Sequence, residues 1–241
     1  MNGTSTDQKL LQIVSGPAPN TIADVIGIMQ NIDNLLPSGD GLKWFNLLYL
    51  MVAKNVDSQP AAGGWKDAAW LRRLDVIFAE FYFTAIAKFL NAGSDLPSSW
   101  RALFEARFGA RIDRIQFALA GMNAHINHDL ALALLQTDDE LDLAPDLNSP
   151  EHDDFEQVNG LLEATLPTAL QVLATGILGE LAQDTGKIGR FLAIWNVKVA
   201  RDAAWDFAAH LRNLNGVSRA LALVFQDQLT GVIGRSLLLP V

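Results

Sequence analysis

Four histidines are spread over a chain of 241 residues that has no cysteine. Each lies within four residues of an aspartate: His125 and His128 near Asp129, His152 beside Asp153, and His210 after Asp206. An imidazole moves protons near neutral pH, and a neighbouring carboxylate orients it and selects its tautomer. His125 and Asp129 are one helical turn apart, as are Asp206 and His210, so in a helix each pair can hydrogen-bond. Both pairs fall on otherwise apolar stripes, although Asp206 and His210 fit a half-exposed helix edge equally well. Ile115, Ala118, Leu119, Met122, Ile126 and Ala133 surround the first; Ile188, Leu192, Trp195, Val199 and Ala203 lead into the second. Burying an unpaired ionisable group is costly, so each pair needs either a structural partner or a task.

Two neighbouring helices repeat the theme. Asp75, Tyr82 and Ile86 form a stripe beside the apolar Leu71, Leu74, Phe78, Phe81, Ala85 and Phe89, and His152, Phe155 and Asn159 share another. If these helices pack around one centre, the stripes converge on a polar pocket in an otherwise apolar bundle, a common place for ligands and metals.

The positioning elements are helical almost throughout. Apolar residues recur at spacings of three and four over Thr21–Leu36, Leu42–Val56, Trp65–Asn91, Arg111–Gln136 and Ser149–Leu181. Further helices are expected over Pro97–Phe108, Lys187–Leu214 and Ser218–Leu238, with an acidic loop at Thr137–Asn148. The expectation is an all-α, single-domain bundle of about eight helices over residues 1–241, poorly ordered before residue 20, with a pocket between helices. The uncharged run Ala164–Gly179 is too short to span a bilayer, which takes about 20 residues, and reads as a buried helix. The polar amino terminus is no signal peptide, so the expected location is cytoplasmic. A net charge of −9 is the wrong sign for nucleic acid or anionic lipid.

Several chemistries are excluded. Without cysteine there is no thiol nucleophile, iron–sulfur cluster or cysteine-bound zinc. The zinc-protease H-E-x-x-H pattern, paired Glu-x-x-His motifs, Gly-x-Ser-x-Gly and the phosphate loop are all absent. His128-Asp129 spells the doublet of helical metal-dependent phosphohydrolases, but their upstream histidine is missing. Asp138-Asp139-Glu140-Leu141-Asp142 matches the magnesium-binding D-D-x-x-D of class I terpene cyclases. No second magnesium motif accompanies it, so a cyclase is an alternative rather than the main expectation.

A set of phrases carries a family resemblance: Asp40-Gly41-Leu42 with Phe45 and Tyr49, Leu74-Asp75-Val76 with Phe78 and Tyr82, and Asn123-Ala124-His125-Ile126-Asn127-His128-Asp129-Leu130. Asp154-Phe155 and Ala200-Arg201 with Ala204-Trp205 complete it. Over residues 22–210 the chain resembles an uncharacterised, mostly bacterial, helical family known only as a domain of unknown function. The resemblance implies no activity; it implies that Asp75, Tyr82, Asn123, His125, Asp129, Arg201 and Trp205 belong to the family pattern. His152, Asp206 and His210 have no place in it.

The functional expectation is an enzyme acting on a small, largely apolar metabolite by a hydrolytic, lyase, isomerase or cyclising step. His125 is the base or a ligand, Asp129 orients or co-ligates it, and Asp75 and Tyr82 supply acid and hydrogen bonding. Asn123 and Arg201 hold an oxygen-bearing or anionic group, with Phe78 and Trp205 lining the substrate. The cofactor is unknown. A divalent metal on His125, Asp129, Asp206 and His210 is one option. The alternatives are a non-catalytic carrier or sensor of a hydrophobic ligand, and a protein whose polar pairs only fix helix register. A homodimer is open.

Overall fold

The computed structural model describes residues 5–58, 64–175 and 196–240. Among them the chain is all-helical. It runs through α1 (Ser5–Val14), α2 (Ile22–Leu35), α3 (Gly41–Ser58), α4 (Ala68–Leu90), α5 (Ser98–Ala106) and α6 (Arg114–Ala124). A π-helical turn (His125–Asp129) joins α6 directly to α7 (Leu130–Leu141), and α8 (Pro150–Thr175), α9 (Val197–Arg212) and α10 (Gly216–Leu237) follow. No helix among the described residues is long and apolar enough to cross a membrane.

Local chemistry sets the helix ends. Thr21 and Asp24 form a capping box at the start of α2. The Asp67 side chain accepts the N–H groups of Ala69 and Trp70 at the start of α4. At the start of α8, Ser149 accepts the N–H of His152 at 3.2 Å, with Pro150 in the first helical position. Two expectations are corrected here. The amino-terminal stretch contains α1, whose Leu10 is fully buried. The acidic stretch from Thr137 is helical as far as Leu141, because Thr137 and Asp138 are buried and only Asp142 turns left-handed, at φ 54°. The ends of the expected helices near residues 181 and 187, and part of the Ala164–Gly179 run, lie outside the described residues.

The core is aromatic, with Phe45, Trp70, Tyr82, Trp100, Phe104 and Phe155 fully buried. Helix α3 packs on α2, α6 and α8; α4 packs on α7; α9 packs on α7, α8 and the π turn; α10 packs on α5 and α6. Contact between α3 and α6 is close because Gly121 leaves room for the Phe45 ring, which an added methyl would overlap.

A buried ion pair ties the amino-terminal half together. Arg107, just after α5, grips both carboxylate oxygens of Asp40, its Nε lying 3.1 and 3.0 Å from them, and reaches Asp7 of α1 at 2.8 Å. The Asp40 carboxylate also accepts the N–H of Leu42 at 3.1 Å, at the start of α3. Removing one partner strands the other charge, so Arg107→Ala should lower the unfolding free energy by about 3–5 kcal/mol in urea titration. A loss below about 1 kcal/mol, the worth of a surface pair, would show that the clamp is not holding these helices.

Candidate active site: a histidine on a π turn

The backbone widens where the chemistry-bearing residues sit. In the π turn the N–H of Leu130 bonds the carbonyl of His125, five residues back. The carbonyl of Asn127 accepts Nε2 of Gln226, from α10, at 2.7 Å. Such turns inside α-helices are frequent at functional sites. Here the turn brings two imidazoles onto one carboxylate. Asp129 Oδ2 accepts Nδ1 of His125 at 2.9 Å and the Trp100 indole N–H at 2.9 Å, while Oδ1 accepts Nδ1 of His128 at 2.8 Å. Asp129 is 1% exposed. Burial opposes its charge, but the hydrogen bonds from both histidines outweigh it and hold its pKa below the ordinary value.

The two imidazoles are driven apart. Burial lowers the His125 pKa and prevails over the hydrogen bond to Asp129 that favours charge. For His128 burial acts in the same direction, but Asp129 and then Asp227, 3.7 Å away, lift its pKa above the ordinary value. Positive charge beside Asp129 is thus favoured on His128, and the neutral ring is favoured at His125. A carboxylate only accepts, so Nδ1 of His125 carries the proton and Nε2 presents a bare lone pair. That Nε2 is buried and has no hydrogen-bond partner among the described residues.

His125 lies against an aromatic wall. Phe78 stacks on it with centroids 3.6 Å apart and planes 5° from parallel, and Tyr49 lies 4.7 Å away. Beyond them is a cavity of about 90 Å³ between α3, α4, α6, α8 and α9. Helix α3 turns Phe45, Leu48, Tyr49, Val52, Ala53 and Val56 towards it, and α8 contributes Val158, Leu162 and Leu166. Among the described residues, the polar groups in these apolar walls are His125, Tyr49, Asp75 and Arg201. Asp75 makes no hydrogen bond among the described residues, and burial raises its pKa to about 7 against the opposing pull of Arg201. Burial also raises the Tyr49 pKa, helped by the charges of Asp75 and Asp129. Arg201 donates Nε to Oδ1 of Asn159 and lies 4.2 Å over the Phe155 ring. It has no carboxylate within salt-bridge distance among the described residues, and burial lowers its pKa to about 10. A low-dielectric pocket with one base, one poised acid and one cation can bind a small anionic or oxygen-bearing molecule and move a proton on it.

Of the residues expected from the sequence, His125, Asp75, Phe78 and Arg201 line this cavity, and Asp129 stands behind His125. The others are placed elsewhere. Tyr82 is fully buried behind the aromatic wall, stacked on Trp100 at 5.4 Å, with its hydroxyl 3.3 Å from Oδ1 of Asn46. Asn123 donates to the carbonyl of Thr230 at 2.9 Å and accepts from Asn127 at 3.0 Å, so it anchors α10 rather than a substrate. Trp205 packs among Trp70, His152 and Phe155. The four-ligand metal set is not assembled, because Asp206 and His210 are exposed while His125 and Asp129 are buried. Their stripe took its phase from Ile188, Leu192 and Trp195, which lie outside the described residues. In α9 the buried positions are Val197, Arg201, Ala204, Trp205, Ala208 and Leu211. Among the described residues no group of three or more metal-ligating side chains occurs.

The D-D-x-x-D stretch is also committed elsewhere. Asp138 accepts the Trp70 indole N–H at 2.8 Å and pairs with Arg212, and Glu140 pairs with Arg73 at 2.6 Å. Neither lines the cavity, so the stretch holds helices together. Two contributors were missed as site residues: Tyr49, one of only two tyrosines and on the same face of α3 as Phe45, and Trp100, whose bond to Asp129 has no signal in the sequence.

An all-α bundle with a histidine–aspartate pair on a π turn, facing a largely apolar pocket, is the class of protein these features define. The chain belongs to a family of unknown function (DUF5995), whose model matches residues 22–240. Comparison with curated proteins and with solved structures found no match.

Proposed function

We propose that the protein is an enzyme performing acid–base chemistry on a small, largely apolar substrate that carries an anionic or oxygen-bearing group. The observation that carries this reading is His125 itself, which lines the pocket with Nδ1 held by Asp129 and Nε2 buried without a partner among the described residues. A buried acceptor without a partner costs roughly 1–3 kcal/mol, which a substrate proton or a water poised for attack would recover. His125 is the general base and Asp129 its orienting carboxylate. Asp75, with a pKa of about 7, is half protonated at neutral pH and serves as the complementary acid. Arg201 holds the anionic or oxygen-bearing group, and Tyr49 supplies a hydrogen bond. A hydrolytic or lyase step fits this set. A divalent ion in the pocket would find His125 and Asp75, since both Asp129 oxygens already accept N–H groups.

The test is turnover on a panel of short-chain esters, lactones and hydroxy acids. His125→Ala and His125→Gln should each lower the rate by about 100- to 10,000-fold with the helical content kept. Unchanged turnover would remove His125 from the role. The apolar walls of the cavity favour a second reading, a carrier of a hydrophobic ligand. It predicts binding without turnover that survives His125→Ala.

A further inference from the structure

Helix α10 is built the wrong way round for a helix that only covers a core. Its inward face is small: Thr230, Gly231 and Gly234 are buried, and a methyl at Gly231 would strike the backbone of Ser98 in α5. Leu223 and Leu237 pack against the core, but most of its large apolar side chains point outward. Val217, Leu221, Phe225, Leu229 and Ile233 are 74%, 66%, 70%, 46% and 42% exposed, with Val224 and Val232 beside them. Charge is kept off this face. Between Ala220 and Gly234 the one charged side chain is Asp227, which turns inward to accept the N–H groups of Ser98 and Ser99 at 2.8 and 3.0 Å.

We propose that this face is the interface of a two-fold symmetric homodimer. Three observations select a second copy. The five residues form one row at a spacing of four, and about Phe225 the row runs outward to leucine and then to a β-branched residue in both directions. An antiparallel copy therefore sets Phe225 on Phe225, Leu221 on Leu229 and Val217 on Ile233. A two-fold interface requires this self-complementarity, and rows at this spacing are the ones that interlock in the commonest helix packing. The exposed apolar area is on the order of 800 Å² per copy, one partner's share of a standard interface and large for a patch left in water. Anionic lipid is disfavoured by the net charge of −9, and the only basic residues of α10 are Arg219 and Arg235, one near each end.

The interface would also brace the site. Gln226, Asp227 and Thr230 reach from α10 to Asn127, His128 and Asn123 around the π turn. The proposal does not depend on the catalytic reading.

Sedimentation equilibrium should give a species of twice the 26.2 kDa chain. Phe225→Glu, which sets two carboxylates against each other on the axis, should weaken association at least about 100-fold with unchanged far-UV circular dichroism. Because the chain has no cysteine, register can be read directly. Under oxidant Phe225→Cys should crosslink to a dimer, and Leu221→Cys should do so only when Leu229→Cys is also present. A monomer throughout, a dimer indifferent to Phe225→Glu, or equal crosslinking by Phe225→Cys and Leu221→Cys would overturn the proposal. So would a monomer that co-sediments with phosphatidylcholine–phosphatidylglycerol vesicles, which would make the face a lipid surface.

Discussion

Asp129→Ala should cost the fold about 3–5 kcal/mol, the usual penalty for breaking a buried charged pair. The carboxylate accepts from Trp100, His125 and His128, and the substitution strands two buried N–H donors and a partly buried third at once. Loss is expected at two levels. The π turn loses the group that gathers its imidazoles, and His125 loses what fixes its tautomer, so Nε2 need no longer be the free nitrogen. Asp129→Asn should fall between, because the amide keeps the shape but turns one acceptor into a donor facing an N–H. Urea unfolding of the three proteins measures this. A loss below about 1 kcal/mol for Asp129→Ala would mean that the imidazoles find other partners and that the hub is dispensable.

Asp75 should impose a pH dependence of comparable size. Its folded pKa is raised to about 7 from the ordinary 3.8 of an aspartate. Below pH 4 it is protonated in both states and the folded form bears no penalty. As the pH rises from about 4 to 7, the unfolded chain releases this proton while the folded chain retains it, so stability falls. Above pH 7 both states are ionised and the loss is complete, amounting to at most about 4 kcal/mol at 1.36 kcal/mol per pKa unit. Asp75→Asn removes that slope. The unfolding free energy of wild type minus that of Asp75→Asn should therefore drop by up to this amount between pH 4 and pH 8, groups common to both proteins largely cancelling. A difference that stays flat would place the carboxylate in water rather than in the pocket.

Much of the fold was legible because its signals are local. Apolar residues at three and four apart, Thr21 and Ser149 as caps, and proline after Ser149 place α2 through α8 within a few residues. The His125–Asp129 pair was legible for the same reason, since one turn of helix is enough to join them. What escaped depends on distant contacts. Trp100 meets Asp129 only because α5 packs on α6, and Arg107 meets Asp40 across 67 residues of chain. Tyr82 and Asp75 share a stripe of α4, yet two turns of helix separate a cavity wall from a filled core. Helical phase misled at α9, where a stripe extended from upstream residues put Asp206 and His210 on the buried side while the packed face follows Arg201 and Trp205. At Asp138 the residue types alone matched a magnesium motif kept only as an alternative, and the carboxylate is spent on Trp70 and Arg212. Apolar residues all round α10 could not reveal which half would be left uncovered.

The proposed chemistry needs one nitrogen, the Nε2 of His125, to be a bare base at working pH. The most direct measurement is 15N-edited NMR of the four imidazoles from pH 5 to pH 8, assigned with His125→Gln. The prediction for His125 is a neutral ring, protonated on Nδ1 and bare on Nε2 at pH 7, titrating below its ordinary value of 6.5, while His128 titrates above it. A His125 ring charged at pH 7, or one that carries its proton on Nε2, would contradict it.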